Sequence, residues 1–256
     1  MTYKSNGRMA LLKNERGATI LMALLALLVA AMVSAVILAA ATSTVKQEKS
    51  DAEFQQCQLD LQSAGQFTLH DIIGADESKS SKDGGGAVVT LTEMKTTDSG
   101  GDVQWVPSSL AAAGGGSFYK NVLRDAVDAI RCGNGTVVNG VFSTDLPDIT
   151  LSKKAAATSS SSDFEPRTVK VSFTAKPAAT VNGVPSDDYD YVFEFNSSNS
   201  VKDIAADADR AQVLYLRLKE NNSSPVVSSD GKTRVTTYYW TFDRFYTAEG
   251  KDDING

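Results

Sequence analysis

An uncharged run from Gly17 to Val45 sets the first limit on how this chain can fold. Within residues 18–41 only Thr19 and Ser34 interrupt the apolar side chains, and both hydroxyls can bond back to helix carbonyls. As a helix at about 1.5 Å per residue the run extends about 36 Å, more than the roughly 30 Å hydrocarbon core of a bilayer. We therefore expect residues 18–44 to form a transmembrane helix in contact with membrane lipid.

Charge gives this helix a direction. The first seventeen residues carry four Lys or Arg residues against one Glu, a net charge of +3. Because the whole chain has a net charge of −6, the remaining residues carry −9. By the positive-inside rule, residues 1–17 are expected in the cytoplasm and the exterior domain, residues 45–256, outside it or in the periplasm. Because this domain is acidic and shows no Lys/Arg patch, nucleic acid is not an expected partner.

A cleaved secretory signal is the first alternative to a permanent helix. The small residues Ala39, Ala40 and Ala41 form an A-x-A type cleavage sequence. The apolar region of a signal peptide is about 7 to 15 residues long, however, and this run is much longer. The length therefore favours a single-pass protein of the inner or cell membrane.

The string Arg16-Gly17-Ala18-Thr19-Ile20-Leu21 resembles the processing site of type IV prepilins and the related pseudopilins. The resemblance implies that a membrane-embedded prepilin peptidase cuts between Gly17 and Ala18 on the cytoplasmic side. Residues 1–17 would then be a leader, which an internal start at Met9 would shorten. The partners that it implies are other pilin subunits and the assembly machinery.

The chain departs from this family at one position. Most major pilins have glutamate at the fifth residue after the cleaved glycine, and this chain has Met22 there. In the family, loss of that glutamate is characteristic of minor or tip subunits. The resemblance therefore implies a structural role as a minor subunit of a type IV pilus-like or pseudopilus filament. The alternative is a single-pass anchored binding or adhesion domain that never assembles.

The helical pattern continues beyond the apolar run. Residues 45–73 contain no proline, and Phe54, Cys57, Leu61 and Ala64 recur at three- and four-residue steps. This spacing gives an apolar face that can pack on a domain. We expect one long helix, half in lipid and half against a globular domain, as in the lollipop shape of pilins; a membrane helix followed by a separate amphipathic helix is the alternative.

Shorter elements are predicted after Gly74. A helix is expected over Ser117–Arg131, closed by Cys132 with Gly133 as its C-cap. Alternation of apolar and polar residues predicts strands at residues 87–94, 103–106, 168–176, 189–196, 212–219 and 233–246. The expected fold is α+β: a long N-terminal helix packed on an antiparallel sheet with one buried face, pilin-like overall.

The two cysteines, Cys57 and Cys132, lie outside any CxxC or Cys/His cluster, so a zinc site is not expected. An exterior location permits a disulfide, and we expect one that joins the long helix to the end of the second helix. Two unpaired buried thiols are the alternative.

The other candidate sites lack the residue patterns of catalytic or ligand-binding sites. We therefore expect that the protein is not an enzyme and binds no cofactor or metal. His70 is the single histidine and has no catalytic companion motif. Residues 187–190 (DDYD) lack EF-hand spacing and indicate a solvated acidic turn. The glycine clusters 84–86 and 114–116 lack the Lys-Ser/Thr of a phosphate loop and indicate flexible connectors. The aromatic group at 238–246 is expected to be mostly core, with a smaller adhesive share.

Overall fold

The computed structural model describes residues 6–113, 117–151, 167–178, 180–181, 184–185, 188–197 and 213–247, without the side chains of residues 6–18, 113, 180–181 and 184–185. The chain divides into two compact units, Met1–Gln56 and Cys57–Gly256. We call the second unit the head and describe each unit by itself.

The first element, α1, is a single helix over Asn6–Ile73, 68 residues long. It contains no proline, and Ser34 bonds back to the carbonyl of Ala30 at 2.8 Å, as its sequence predicts. The helix ends where Gly74 adopts φ +103° and donates its N–H to the carbonyl of His70 at 2.9 Å. One continuous helix, rather than two, is therefore confirmed.

In the described residues after α1, the chain forms β-strands, one short α-helix and one π-helical segment. Their bounds are β1 Val88–Thr97, β2 Val103–Ala113, α2 Phe118–Val127, a π-helical segment Asp128–Cys132, β3 Val137–Val138, β4 Val141–Leu151, β5 Arg167–Pro177, β6 Thr180–Val181, β7 Val184–Pro185, β8 Tyr189–Ser197, β9 Val213–Asn222, β10 Val226–Val227 and β11 Thr233–Thr247. Gly133 caps the π-helical segment in the left-handed region at φ 71°, which confirms the predicted cap.

The head is built on a curled antiparallel sheet. In the described residues it has nine strands in the order β2-β1-β11-β9-β8-β5-β4-β3, with β10 added beside β11, while β6 and β7 form a separate small ladder. The pairing of β1 with β11 joins the first hairpin to the last strand. The α+β class, with a long N-terminal helix and an antiparallel sheet, is thus confirmed.

One face of this sheet holds the core. The strands supply the largest side chains with no exposed surface, and the helices supply aliphatic ones: Trp240, Tyr191, Phe173, Phe193, Phe195, Leu69, Ile72, Ile73 and Leu123. The helix approaches closely at Gly65, where an added Cβ would lie 2.8 Å from the ring of Phe245. The opposite face of the sheet carries the polar members of each alternating strand.

Candidate functional site: the apolar helix and the buried Arg131 cluster

The N-terminal part of α1 exposes nearly all of its apolar surface. In the described residues from Thr19 onward, an 18-residue window has a mean hydropathy of 2.9 with none of it buried. Leu21 is 65% exposed and Leu38 is 67% exposed. Such a helix is long and apolar enough to cross a membrane. The predicted cleavage residues Gly17 and Ala18 lie in this helix, but their side chains lie outside the described residues.

Met22, the fifth residue after Gly17, is 70% exposed on the same helix. A glutamate at such a position would carry charge into the hydrocarbon unless a cation met it. The methionine avoids this cost.

Inside the head, the π-helical segment places one arginine over the sheet. Arg131 donates through Nη2 to Glu220 Oε1 of β9 at 2.9 Å, and Tyr191 of β8 donates its hydroxyl to the other carboxylate oxygen at 2.5 Å. The guanidinium carbon lies 5.2 Å from the ring centre of Tyr189 and 5.6 Å from that of Tyr238. We call these five residues the Arg131 cluster. It fixes the end of the short helix to three strands.

Burial governs protonation in this cluster. The side chain of Glu220 is only 4% exposed, and burial raises its pKa in spite of Arg131 and Tyr191. Burial opposes the charge on Arg131, but the charge and hydrogen bond of Glu220 outweigh it and raise the pKa of the guanidinium. Burial followed by the charge of Glu220 raises the pKa of Tyr191 well above its ordinary value. Glu220 is thus held by both Arg131 and Tyr191, as in a structural ion pair, while Arg131 Nε makes no hydrogen bond within the described residues.

A second ionic group lies on the polar face of the sheet. Arg217 of β9 donates to Asp190 of β8 at 2.6 Å, and Asp243 of β11 lies 3.2 Å from Lys219. A bulge in β11 at Asp243 brings its carboxylate between Arg217 and the directly opposed Arg244, at 3.6 and 3.7 Å. Because like charges opposite each other are destabilising, this carboxylate offsets their repulsion.

These contacts correct the prediction of a solvated acidic turn at residues 187–190. Asp190 is buried, with 3% of its surface exposed, because it pairs with Arg217. Asp188 is exposed, and Asp187 lies outside the described residues. His70 is exposed on α1. In the described part of the chain, no group of three or more His, Cys, Asp and Glu side chains could hold a metal ion.

The glycines at 84–86 are not the flexible connector that the sequence suggested. An added Cβ would lie 2.4 Å from the Ile73 carbonyl at Gly84 and 2.0 Å from the Ile72 carbonyl at Gly86. Gly84 and Gly86 are glycine because the backbone after α1 folds back against the end of that helix. The second cluster, 114–116, lies outside the described residues.

The aromatic group at residues 238–246 was predicted to lie mostly in the core. Tyr238 and Trp240 are in the core, at 7% and 0% exposed, and Phe242 and Phe245 pack against it. Tyr246 stacks on Tyr215 with ring centres 4.9 Å apart. The larger share is therefore core.

The predicted disulfide between Cys57 and Cys132 is not formed, and both are free thiols. Cys57 Sγ lies 3.6 Å from the hydroxyl of Ser197, at the end of β8. Arg131, next to Cys132, lies over Tyr189 at the start of that nine-residue strand. A strand of this length spans about 26 Å at about 3.3 Å per residue, whereas bridged cysteines need Cα atoms within about 7 Å. The two thiols therefore lie near opposite ends of strand β8, too far apart to form a disulfide.

Cys132 is also a poor nucleophile. Burial, with a hydrogen bond to Asp128 and its charge, raises the pKa of the Cys132 thiol to about 11. At neutral pH the thiolate, which is the reactive form, is therefore scarcely populated.

Comparison with known proteins adds no relative: no family model matches the chain, and no curated protein or solved structure matches it significantly.

Proposed function

We propose that this chain is a structural subunit of a type IV pilus-like or pseudopilus filament, held in the membrane by α1 before assembly. The observation that carries the proposal is the exposed apolar surface of α1, whose most hydropathic window is 0% buried. A helix this apolar needs either lipid or other apolar helices around it. A pilin-like subunit uses both environments in turn.

Two further features support this proposal. The Arg16-Gly17-Ala18 sequence stands directly before the apolar run, as in prepilins. In the head, the buried carboxylates Glu220 and Asp190 each pair with an arginine of the same unit, which suits a structural module better than a catalytic one. The partners would be membrane lipid, a prepilin peptidase, other pilin subunits and the assembly machinery.

The experiment is to replace Gly17 with a bulky residue and to sequence the N-terminus of membrane-derived protein. The wild type should begin at Ala18, and Gly17→Trp should retain its leader and fail to reach surface filaments. As a matched control, Gly7→Trp lies in the same leader away from the cleavage site and should be processed normally. A mature wild-type chain that starts at Thr42, or one that retains residues 1–17, would count against the proposal.

Met22 supports a minor or tip position in such a filament. Without an anion at this position, the subunit lacks the contact that major pilins are thought to make with the next N-terminus. Quantitative mass spectrometry of sheared filaments should find it scarce relative to a major subunit. A filament composed mainly of this chain would overturn the assignment.

Met22 also favours one alternative, a permanently anchored surface binding module that never assembles. This module would keep the same topology and would need no peptidase. Unchanged display of the Gly17→Trp variant at the surface would support this alternative.

A further inference from the structure

One exposed face of α1 inside the head carries no charged residue. Its members, which we call the glutamine face, are Gln58, Leu59, Gln62, Ser63, Gln66 and Phe67. The apolar side chains are well exposed, with Leu59 at 56% and Phe67 at 59%. The one charged residue in this stretch, Asp60, points inward, and its carboxylate lies 3.4 Å from Arg167.

The composition of this face is unlike that of a solvated helix. The preceding turns of α1 are charged at Lys46, Glu48, Lys49, Asp51 and Glu53. Solvent-facing helix surfaces normally carry such residues. The cores of protein interfaces instead lack charge and contain exposed aromatic side chains that the partner covers.

Aromatic rings extend the face onto α2. Phe67 and Phe118 each contact the ring of Tyr119 edge-on, with ring centres 6.3 and 6.2 Å apart. Phe118 is itself 48% exposed. The exposed rings are therefore held in fixed positions, which lowers the entropic cost of burying them against a partner.

We infer that a second copy of this chain covers the glutamine face, by parallel, in-register pairing of two α1 helices in one membrane. Every copy is joined to its apolar run by the same residues, so copies anchored in one bilayer present this face in the same direction and order. In such a pair each residue meets its own counterpart. A charged residue would there meet a like charge, which is repulsive.

Glutamine suits this geometry because a carboxamide both donates and accepts hydrogen bonds and can pair with itself. Gln58, Gln62 and Gln66 follow at four-residue steps and form one ridge of the helix. On the adjacent ridge Ser63 donates its hydroxyl to the Leu59 carbonyl at 2.7 Å. This hydroxyl proton therefore needs no acceptor from a partner.

The size of the face implies that the membrane is needed for pairing. Ten residues of helix extend about 15 Å. Stable soluble dimers bury about 800 Å² on each partner, more than so short a face offers. Confinement of both copies to one bilayer supplies the high effective concentration that such a small contact requires. The inference thus rests on the membrane anchoring in the proposed function but not on filament assembly.

The test is a charge swap at Gln62 in the full chain. Two differently tagged copies are expressed together, and membranes are dispersed with a styrene–maleic acid copolymer, which keeps neighbouring copies in one small bilayer patch. One tag is then captured while the other is quantified. The wild-type pair should be recovered. Pairs of two Gln62→Glu copies or two Gln62→Lys copies should be recovered about tenfold less, and the mixed Glu/Lys pair should return to the wild-type level.

Gln104 provides the matched control, because it is an exposed glutamine on β2, outside the glutamine face. The same swaps there should leave recovery unchanged. Failure to co-capture the wild type, equal recovery of all Gln62 pairs, no recovery in the mixed pair, or an equal loss at Gln104 would each overturn the inference. Cleavage after Gly17 is measured separately, by N-terminal sequencing. The pairing of two copies and the proposed filament function can therefore fail independently of each other.

Discussion

Removal of the cation from the Arg131 cluster should destabilise the head strongly, and removal of both charges should restore much of the loss. In Arg131→Met the Glu220 carboxylate, 4% exposed, keeps the Tyr191 hydroxyl but loses its cation. Loss of one partner from a buried pair costs about 3 to 5 kcal/mol. We expect the lower end, about 3 kcal/mol, because Arg131 is 18% exposed and water can enter.

A double-mutant cycle isolates the pairwise contribution. Glu220→Gln should cost about 1.5 kcal/mol, because a buried arginine keeps a neutral acceptor. The double variant should cost about 2 kcal/mol rather than the additive value, which gives a coupling of about 2.5 kcal/mol. The assay is denaturant unfolding of the full chain in detergent, followed by fluorescence. Both tryptophans, Trp105 and Trp240, lie in the head and report on it.

A coupling below about 0.5 kcal/mol, within the usual error of additivity, would refute the reasoning, because the two side chains would then act independently. A changed denaturant slope in either single variant would indicate an altered unfolded or native state instead. Arg124→Met is the matched control, since its ion pair with Asp125 is exposed and should contribute less than about 1 kcal/mol.

The pH dependence of the same pair has a fixed sign. Because the folded-state pKa of Glu220 is raised above its ordinary value, the folded state binds the proton more tightly than the unfolded state. The wild type should therefore lose stability relative to Glu220→Gln as pH rises from the ordinary glutamate pKa to the raised one, and level off above it. A difference that moves the other way would show that pairing with Arg131 outweighs burial.

Three further predictions concern core packing, a buried hydrogen bond and the two thiols. Phe173→Ala, at a site with 0% exposure, should lower the free energy of unfolding by about 3 to 5 kcal/mol, while Phe118→Ala, 48% exposed, should lower it by less than about 1 kcal/mol in the same denaturation assay. Ser81→Ala should cost about 1 to 3 kcal/mol because the buried backbone groups that its hydroxyl contacts lose their partner. Ser80→Ala is the control, because the Ser80 hydroxyl bonds only to the exposed Asp83. Denatured, unreduced protein should yield two alkylatable thiols, Cys57 and Cys132; a single disulfide-linked peptide pair would contradict the fold.

The sequence predicted the central strands well because their alternation is strict. The prediction of residues 189–196 corresponds to β8, Tyr189–Ser197, where alternate residues from Tyr191 to Phe195 are fully buried. The prediction of residues 233–246 likewise corresponds to β11, Thr233–Thr247. Central strands pack one face on the core, so burial imposes the period of two that the sequence displays.

The edge strands were harder to predict. β4, Val141–Leu151, was missed because Pro147 and two acidic residues break its alternation and its register shifts between Leu146 and Ile149. β2 was predicted only to Val106, because Pro107 follows it near a register shift. Edge strands accept proline and bulges, since one side of their backbone needs no partner.

The Arg131 cluster could not be predicted, because its ion pair joins residues 89 positions apart. No local motif marks Arg131, and the π-helical turn that aims it has no clear sequence signal. The disulfide prediction failed for the same reason. Cys57 was correctly placed on the buried face of α1, but only the contacts at the two ends of β8 show that Cys132 lies far from it.

The attachment of α1 to the sheet, which a disulfide was expected to strengthen, comes instead from the segment after the helix. Ala87 donates its N–H to the Ile72 carbonyl at 2.7 Å, and Ser81 donates its N–H to the Trp240 carbonyl at 2.7 Å. Trp240 donates its own N–H to the Ser81 hydroxyl at 2.9 Å, so a single buried serine ties the helix end to β11. None of these bonds depends on redox conditions. The head should therefore fold equally well in a reducing or an oxidising compartment.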